Sequence, residues 1–171
     1  PTKKFIKIQK GISNTTTTDA VNNIPWWTQN INPDIIIYSG IGNDPVKDAI
    51  GGGQYTANER VTRAQMLINL QTIYNKMLDI LNPNGVIIWN MPWNVDLETV
   101  LSTRLTHQGY RDDFEAFCAG ANTQEDVINM MDFQTVWGVD AWDVNTYDGA
   151  HPNEAGSNLL HTAFYSYFQT K

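Results

Sequence analysis

Short apolar runs that stop at turn residues punctuate the chain. Phe5 to Ile8 ends ahead of Gly11, Ile35 to Tyr38 ahead of Gly40, and Val86 to Trp89 ahead of Pro92. Runs of this length, closed by glycine or proline, read as strands. Their lack of polar alternation predicts parallel strands covered on both faces. Between the second and third runs, Val61, Ala64, Leu67, Ile68, Tyr74 and Leu78 recur at helical spacing within Thr56 to Leu81, and Thr56 with Glu59 forms a capping box. Asn82-Pro83-Asn84-Gly85 then stops that helix. A fourth run, Val127 to Met131, follows a helical or loop-like stretch at 97–126, and Asn153 to Phe168 closes the chain as a helix bearing Leu159, Leu160, Ala163, Phe164 and Tyr167. Strands alternating with helices predict an α/β fold, a three-layer α/β/α sandwich on a mostly parallel sheet.

A length of 171 residues with 42% hydrophobic side chains suits one core, so residues 1–171 are expected to form a single domain. The net charge of -7, with no run of Lys or Arg, argues against nucleic acid and anionic membranes as partners. No apolar stretch reaches the roughly 20 residues that cross a bilayer, and the opening PTKKFIKIQKG is too short and too charged for a signal peptide. Cys118 is the sole cysteine and forms no internal disulfide; the three histidines lack partners at ligand spacing, so neither metal nor cofactor is expected. Polarity resting on Asn, Thr and Gln, with 17% charged residues, is compatible with an extracellular or virion-surface setting.

Two places break the regular pattern: Gly51-Gly52-Gly53, and the segment from Asp140 to Pro152. In an open α/β sheet the ligand crevice lies beyond the carboxyl ends of the strands, so residues that follow strands carry most information. After Ile35 to Tyr38 comes Ser39-Gly40-Ile41-Gly42-Asn43-Asp44. Its glycines bring backbone close to a ligand and Asn43 supplies an amide donor, as an oxyanion hole requires; the alternative is an ordinary tight turn. Ahead of the last helix stands Tyr147-Asp148-Gly149-Ala150-His151-Pro152-Asn153. A carboxylate three residues before a histidine can hold its Nδ1 proton and leave Nε2 as a general base. The alternative here is an acidic helix-capping turn with a surface histidine.

Taken together, Asp-x-x-His-Pro before a final helix and Asn-Asp after a buried strand resemble the SGNH/GDSL hydrolase family, whose last block is Asp-x-x-His and whose third is Gly-x-Asn-Asp. Gly11-Ile12-Ser13-Asn14-Thr15-Thr16-Thr17 resembles that family's second block, and Pro33-Asp34-Ile35-Ile36-Ile37 follows at a suitable distance. Met91-Pro92-Trp93 and Met131-Asp132 are similar to its later strand ends. The resemblance covers nearly the whole chain and implies an SGNH/flavodoxin-like sandwich. It implies His151 as general base, Asp148 as its orienting group, Asn43 as oxyanion donor and the backbone N–H of Asn14 as the second donor. Trp93 and Trp142 are placed near a ligand, while the other tryptophans are read as core or rim. His107 and His161 are read as structural or solvated, Asp112, Asp113 and Glu115 as a solvated helix face, and Cys118 as a small buried hydrophobe.

The sequence departs from the family in two places. Ile41 stands two residues before Asn43, where the family has glycine, and no Gly-Asp-Ser occurs anywhere. That first block carries the nucleophilic serine on a central strand; Ser13, Ser39, Ser102 and Ser157 lack its motif. The first strand is therefore expected to be missing from this chain and to come from a companion N-terminal segment. An unpaired buried backbone group costs about 1–3 kcal/mol, and a strand of them would exceed a typical folding margin of about 5–15 kcal/mol. The activity implied is hydrolysis of a small acyl ester, with an O-acetylated glycan as one such substrate. The competing expectation is a catalytically silent SGNH-like binding or structural module of a larger surface or virion assembly.

Overall fold

The computed structural model describes residues 8–10, 15–45, 61–91, 101–121, 128–138, 142–147 and 151–169. Its elements are α1 (Thr17–Asn22), α2 (Ile24–Trp27), β1 (Ile35–Tyr38), α3 (Arg63–Ile80), β2 (Val86–Met91), α4 (Leu101–Ala121), β3 (Ile128–Asp132), α5 (Phe133–Trp137), α6 (Trp142–Asn145) and α7 (Glu154–Gln169). Among the described residues the sheet runs β1-β2-β3, and both pairings are parallel. Tyr38 lies opposite Trp89, which lies opposite Met130. The strand β2 continues to Met91, past the expected end at Trp89, because β3 pairs with it through Met91. Of the first expected run, residues 5–7 lie outside the described residues, and Ile8 is exposed and not in a strand.

One face of the sheet carries the main core. Ile87 and Trp89 of β2 pack with Met66, Leu70, Ile73 and Met77 of α3 and with Tyr110 and Phe114 of α4. Trp89 meets Tyr38, Phe114 and Phe117 edge-on, at centroid separations of 5.2, 5.7 and 5.7 Å, an arrangement that aligns ring edges with the π-faces of their neighbours. Ile88 and Asn90 alternate to the opposite face and are buried as well. On the way to that layer, α5 contacts β2 and packs against α7, and Trp137, Leu160, Val136 and Phe164 make a second, smaller cluster. The result is the expected three-layer α/β/α arrangement on a parallel sheet. It differs from expectation at β1, where Ile37 on the second face is 49% exposed, so this strand is covered on one side only among the described residues.

The long helix α3 also departs from its predicted bounds. It begins at Arg63, where Thr62 caps it by accepting the N–H of Gln65, while Thr56 and Glu59 lie outside the described residues. Its buried stripe is Met66, Asn69, Leu70, Ile73, Tyr74 and Met77, and it leaves Ala64 and Ile68 exposed. The stripe is rotated from the predicted one because Val61, taken for a helical position, is buried ahead of the cap, with its carbonyl accepting from the Tyr110 hydroxyl. At the other end the predicted stop is present. Asn84 takes a positive φ of 75°, Gly85 donates to the Asn82 carbonyl, and the Asn82 amide donates to Asn32 O and Asp34 Oδ1, which ties the turn to the start of β1.

The stretch at 97–126 resolves into α4, from Leu101 to Ala121. Its acidic residues are not all solvated as expected: Asp113 accepts two hydrogen bonds of 2.6 Å from the Arg63 guanidinium, a fork joining α4 to α3. Cys118 is buried as expected, and burial, with the Glu115 charge adding, pushes its thiol up to about 12. The hydrogen bonds from Arg63 hold the Asp113 carboxyl below the usual carboxylate range. A carboxyl with a lowered folded-state pKa stabilises the fold above its unfolded-state pKa, and that contribution disappears as pH falls through the folded-state value. Arg63→Ala is therefore expected to cost about 0.2–1 kcal/mol near neutrality. Urea unfolding should show the gap between variant and parent closing in acid below the ordinary carboxylate range; a gap independent of pH would assign the loss to packing.

Candidate active site

The loop after β1 is shaped by two close packings. The Tyr38 ring folds over Gly40, where any added Cβ would fall inside the phenol group. Ile41, which replaces the glycine of the resembling motif, is driven into the main core and is 1% exposed. Its carbonyl accepts the Asp44 N–H at 3.1 Å as the chain turns helical at 43–45. The substituted residue thus anchors the loop by burial, and Asn43 is left half-buried at its tip.

Asn43 donates through Nδ2 to the Thr15 carbonyl at 2.9 Å. An amide NH2 has two donors, so this contact fixes the side chain while leaving one N–H to act elsewhere. Asp44 is fully buried; its Oδ1 accepts the Thr17 N–H at 2.8 Å and its Oδ2 accepts the Thr17 hydroxyl at 2.6 Å. Thr17 is the first residue of α1, whose N-terminal N–H groups have no partners within the helix, so a carboxylate there answers both the unpaired donor and the helix dipole. Asn69 of α3 donates to the hydroxyls of Thr17 at 3.0 Å and Thr18 at 2.9 Å, and Gln65 donates to Asn69 Oδ1 at 2.9 Å. Sequence reading missed Asp44, Thr17 and Asn69 as parts of the site; the available signal was an asparagine interrupting the apolar stripe of α3.

Close by, the Tyr38 hydroxyl is buried and has no hydrogen-bond partner among the described residues. Burial and the negative charge of Asp44 hold this phenol protonated far above its usual range. It is a neutral donor here, not a base.

His151 lies on the second structured turn. The Tyr147 N–H donates to the His151 carbonyl at 2.9 Å, and Thr146 and Pro152 form an antiparallel bridge across the turn. Asn153 holds its base: Nδ2 donates to the carbonyls of Val144 at 2.8 Å and Thr146 at 3.2 Å, and Oδ1 accepts the Gly156 N–H at 3.0 Å. Capping of α7 therefore falls to Asn153 and leaves the turn residues free of that task. The imidazole of His151 is exposed. Because α5 follows β3 directly and Trp137 Nε1 donates to the Gly156 carbonyl at 3.0 Å, the amino end of α7 is tied to the region beyond the carboxyl end of β3. Asp148, Asn14 and Trp93 lie outside the described residues, as does the side chain of Trp142, which opens α6. Of the predicted site, the structure brings Asn43 onto the segment that follows Asn14.

No family model matches the chain, and no curated protein sequence matches it. Solved structures do. A catalytic mutant of Axe2, an acetylxylan esterase from Geobacillus stearothermophilus, superposes with a TM-score of 0.71 at 18% identity, over 92% of this chain and 69% of that one. A GDSL-like lipase from Bacteroides thetaiotaomicron VPI-5482 gives 0.68 at 14% identity, over 94% and 74%. LAE5, an alpha/beta hydrolase enzyme from the metagenome of Lake Arreo, Spain, gives 0.66 at 16% identity, over 90% and 68%. The chain has an SGNH/GDSL hydrolase-like fold. Within that fold the loop after β1 and the turn before α7 are the segments that the motif resemblance singles out, and the described residues of both are held by hydrogen bonds to backbone groups.

Two substitutions test that rigidity at the α7 end. A Cβ on Gly156 would collide with the Asn145 carbonyl and come within 3.1 Å of Trp137 Cζ2, so Gly156→Ala is expected to cost about 1–3 kcal/mol through overpacking. Asn153→Ala removes the α7 cap and should cost about 1 kcal/mol. Denaturant titration of both variants checks this, and parental midpoints would show that the turn is not held as described.

Proposed function

We propose that this chain is a serine esterase of SGNH type that acts as one domain on a small acyl ester, with its nucleophile supplied by a companion N-terminal segment. In this reading His151 Nε2 takes the serine proton as the serine oxygen attacks the acyl carbon, and Asp148 holds Nδ1 and steadies the imidazolium. The tetrahedral oxyanion is met by the second Nδ2 proton of Asn43 and by the backbone N–H of Asn14. Collapse releases the alcohol with the proton from His151, and water then cleaves the acyl-enzyme by the same route. No cofactor enters. The observation that supports the reading is the 2.9 Å hydrogen bond from Asn43 Nδ2 to the Thr15 carbonyl, which joins the Asn-Asp motif to the described end of the segment that resembles the second block.

An acetylated glycan is the substrate favoured. The Geobacillus enzyme of similar fold is an acetylxylan esterase, and Trp93 and Trp142 supply aromatic faces of the kind that stack on sugar rings. The second reading, a silent binding or structural module of a larger surface or virion assembly, draws on the absence of Gly-Asp-Ser from the sequence. The two are separated by the coding sequence ahead of Pro1 and by intact-mass analysis, where an upstream extension or companion peptide ending in a serine block supports the esterase.

In protein that contains that segment, His151→Ala is expected to lower turnover of an aryl acetate and of acetylated xylo-oligosaccharides by about 10²- to 10⁴-fold. Its melting temperature should hardly change, since the imidazole is exposed. Unchanged hydrolysis by this variant would remove the mechanism, and no hydrolysis by the parent would leave the silent module.

A further inference from the structure

A carboxylate with no exposed surface is costly to bury unless its oxygens are well occupied, so the setting of Asp44 calls for a reason. Each of its two oxygens accepts from Thr17, one from the N–H and one from the hydroxyl. That hydroxyl is used on both sides: it donates to Asp44 Oδ2 and accepts from Asn69 Nδ2. Three elements distant in sequence, the β1 loop, the start of α1 and the middle of α3, thereby meet at one oxygen atom. Asn69 and Thr17 are themselves buried, so water does not compete for these bonds. Two residues before Thr17 is the Thr15 carbonyl, the acceptor that fixes the Asn43 amide.

We propose that the buried Asp44–Thr17–Asn69 chain is the positioning element of the site: it sets where Thr15 O lies and hence how the Asn43 amide is aimed. These three residues touch no reacting atom. They act through Asn43, and the chain links the aim of an oxyanion donor to the packing of α3 against α1. This rests on the esterase reading for its catalytic consequence but not for its structural one, and the two are tested separately.

The structural test uses the protein with any companion segment it carries, labelled with ¹⁵N, and follows exchange of the Asn43 side-chain amide protons, assigned by their loss in Asn43→Ala. Bonding to Thr15 O should slow one of the two protons. Thr17→Val keeps the shape and deletes the hydroxyl, and is expected to abolish that protection; Thr17→Ser, which keeps the hydroxyl, should restore it. Asn69→Leu leaves Asp44 bonded to Thr17 and provides a second, milder variant, expected to weaken protection in part. Arg63→Ala, whose hydrogen bonds go to Asp113 on α4 and not to the network, serves as the control for general loosening and should leave the amide unchanged. Parental protection in folded Thr17→Val, or equal loss in Arg63→Ala, would overturn the proposal.

The catalytic test uses protein that contains the serine segment. Thr17→Val should lower kcat by about 10- to 100-fold, as expected for a misplaced oxyanion donor, with KM within about twofold because ground-state binding is not lost. Thr17→Ser should lie near the parent. If Asn43→Ala retains full turnover, Asn43 is not the oxyanion donor and the catalytic consequence fails, while the amide measurement still decides the positioning role. If Asn43→Ala is impaired and folded Thr17→Val is not, the positioning role fails and the esterase reading stands.

Discussion

Strand β2 carries the fold because its central residues, Ile87 to Asn90, are closed off from water. Both of its edges are paired, to β1 through Val86–Trp89 and to β3 through Ile87–Met91, and both of its faces are buried. Trp89 at its centre gathers Tyr38 from β1, Tyr74 from α3 and Phe114 and Phe117 from α4 around one indole. The helices on that face are therefore located by a ring whose large area is hidden only when all of them are in place. The indole N–H and the Asn90 Oδ1 are buried without hydrogen-bond partners among the described residues, a cost that the packing around them outweighs.

From that centre the site is assembled by polar contacts of high sequence separation. Asp44 reaches Thr17 and Asn69 reaches Thr17 and Thr18, so the start of α1 is held between the β1 loop and α3. The α7 end works differently: Asn153 ties the His151 turn to α6 over a short span of chain, and Trp137 joins α7 to the helix that leaves β3. The β1 loop is thus held by long-range buried hydrogen bonds and the His151 turn by local ones.

The loop after β1 illustrates how a motif tolerates a substitution that looks disruptive. Isoleucine in place of glycine would block a turn that needed a left-handed residue. Here Ile41 instead turns its side chain into the core, and the neighbouring glycine at 40 takes the close approach, under the Tyr38 ring. The carbonyl of Ile41 still begins the helical turn that carries Asn43 and Asp44. The close approach falls on Gly40, and Asn43 stays bonded to the Thr15 carbonyl.

The strands Ile35–Tyr38 and Val86 onward, the parallel α/β class, the Asn82–Gly85 turn and the final helix were legible in the sequence, because each depends on local apolar runs and turn residues. The SGNH/GDSL-like fold was legible too, through the ordered motif resemblance, although identity to the similar structures is only 14–18%. Less legible were the start of α3 at Thr62, the face of that helix that is buried and the exposure of Ile37, since each depends on what packs from elsewhere. The same holds for Asp44, Thr17 and Asn69. As letters they are ordinary turn and helix-surface residues, and they become one network only when tertiary packing brings three separated segments together and removes the water that would otherwise satisfy them.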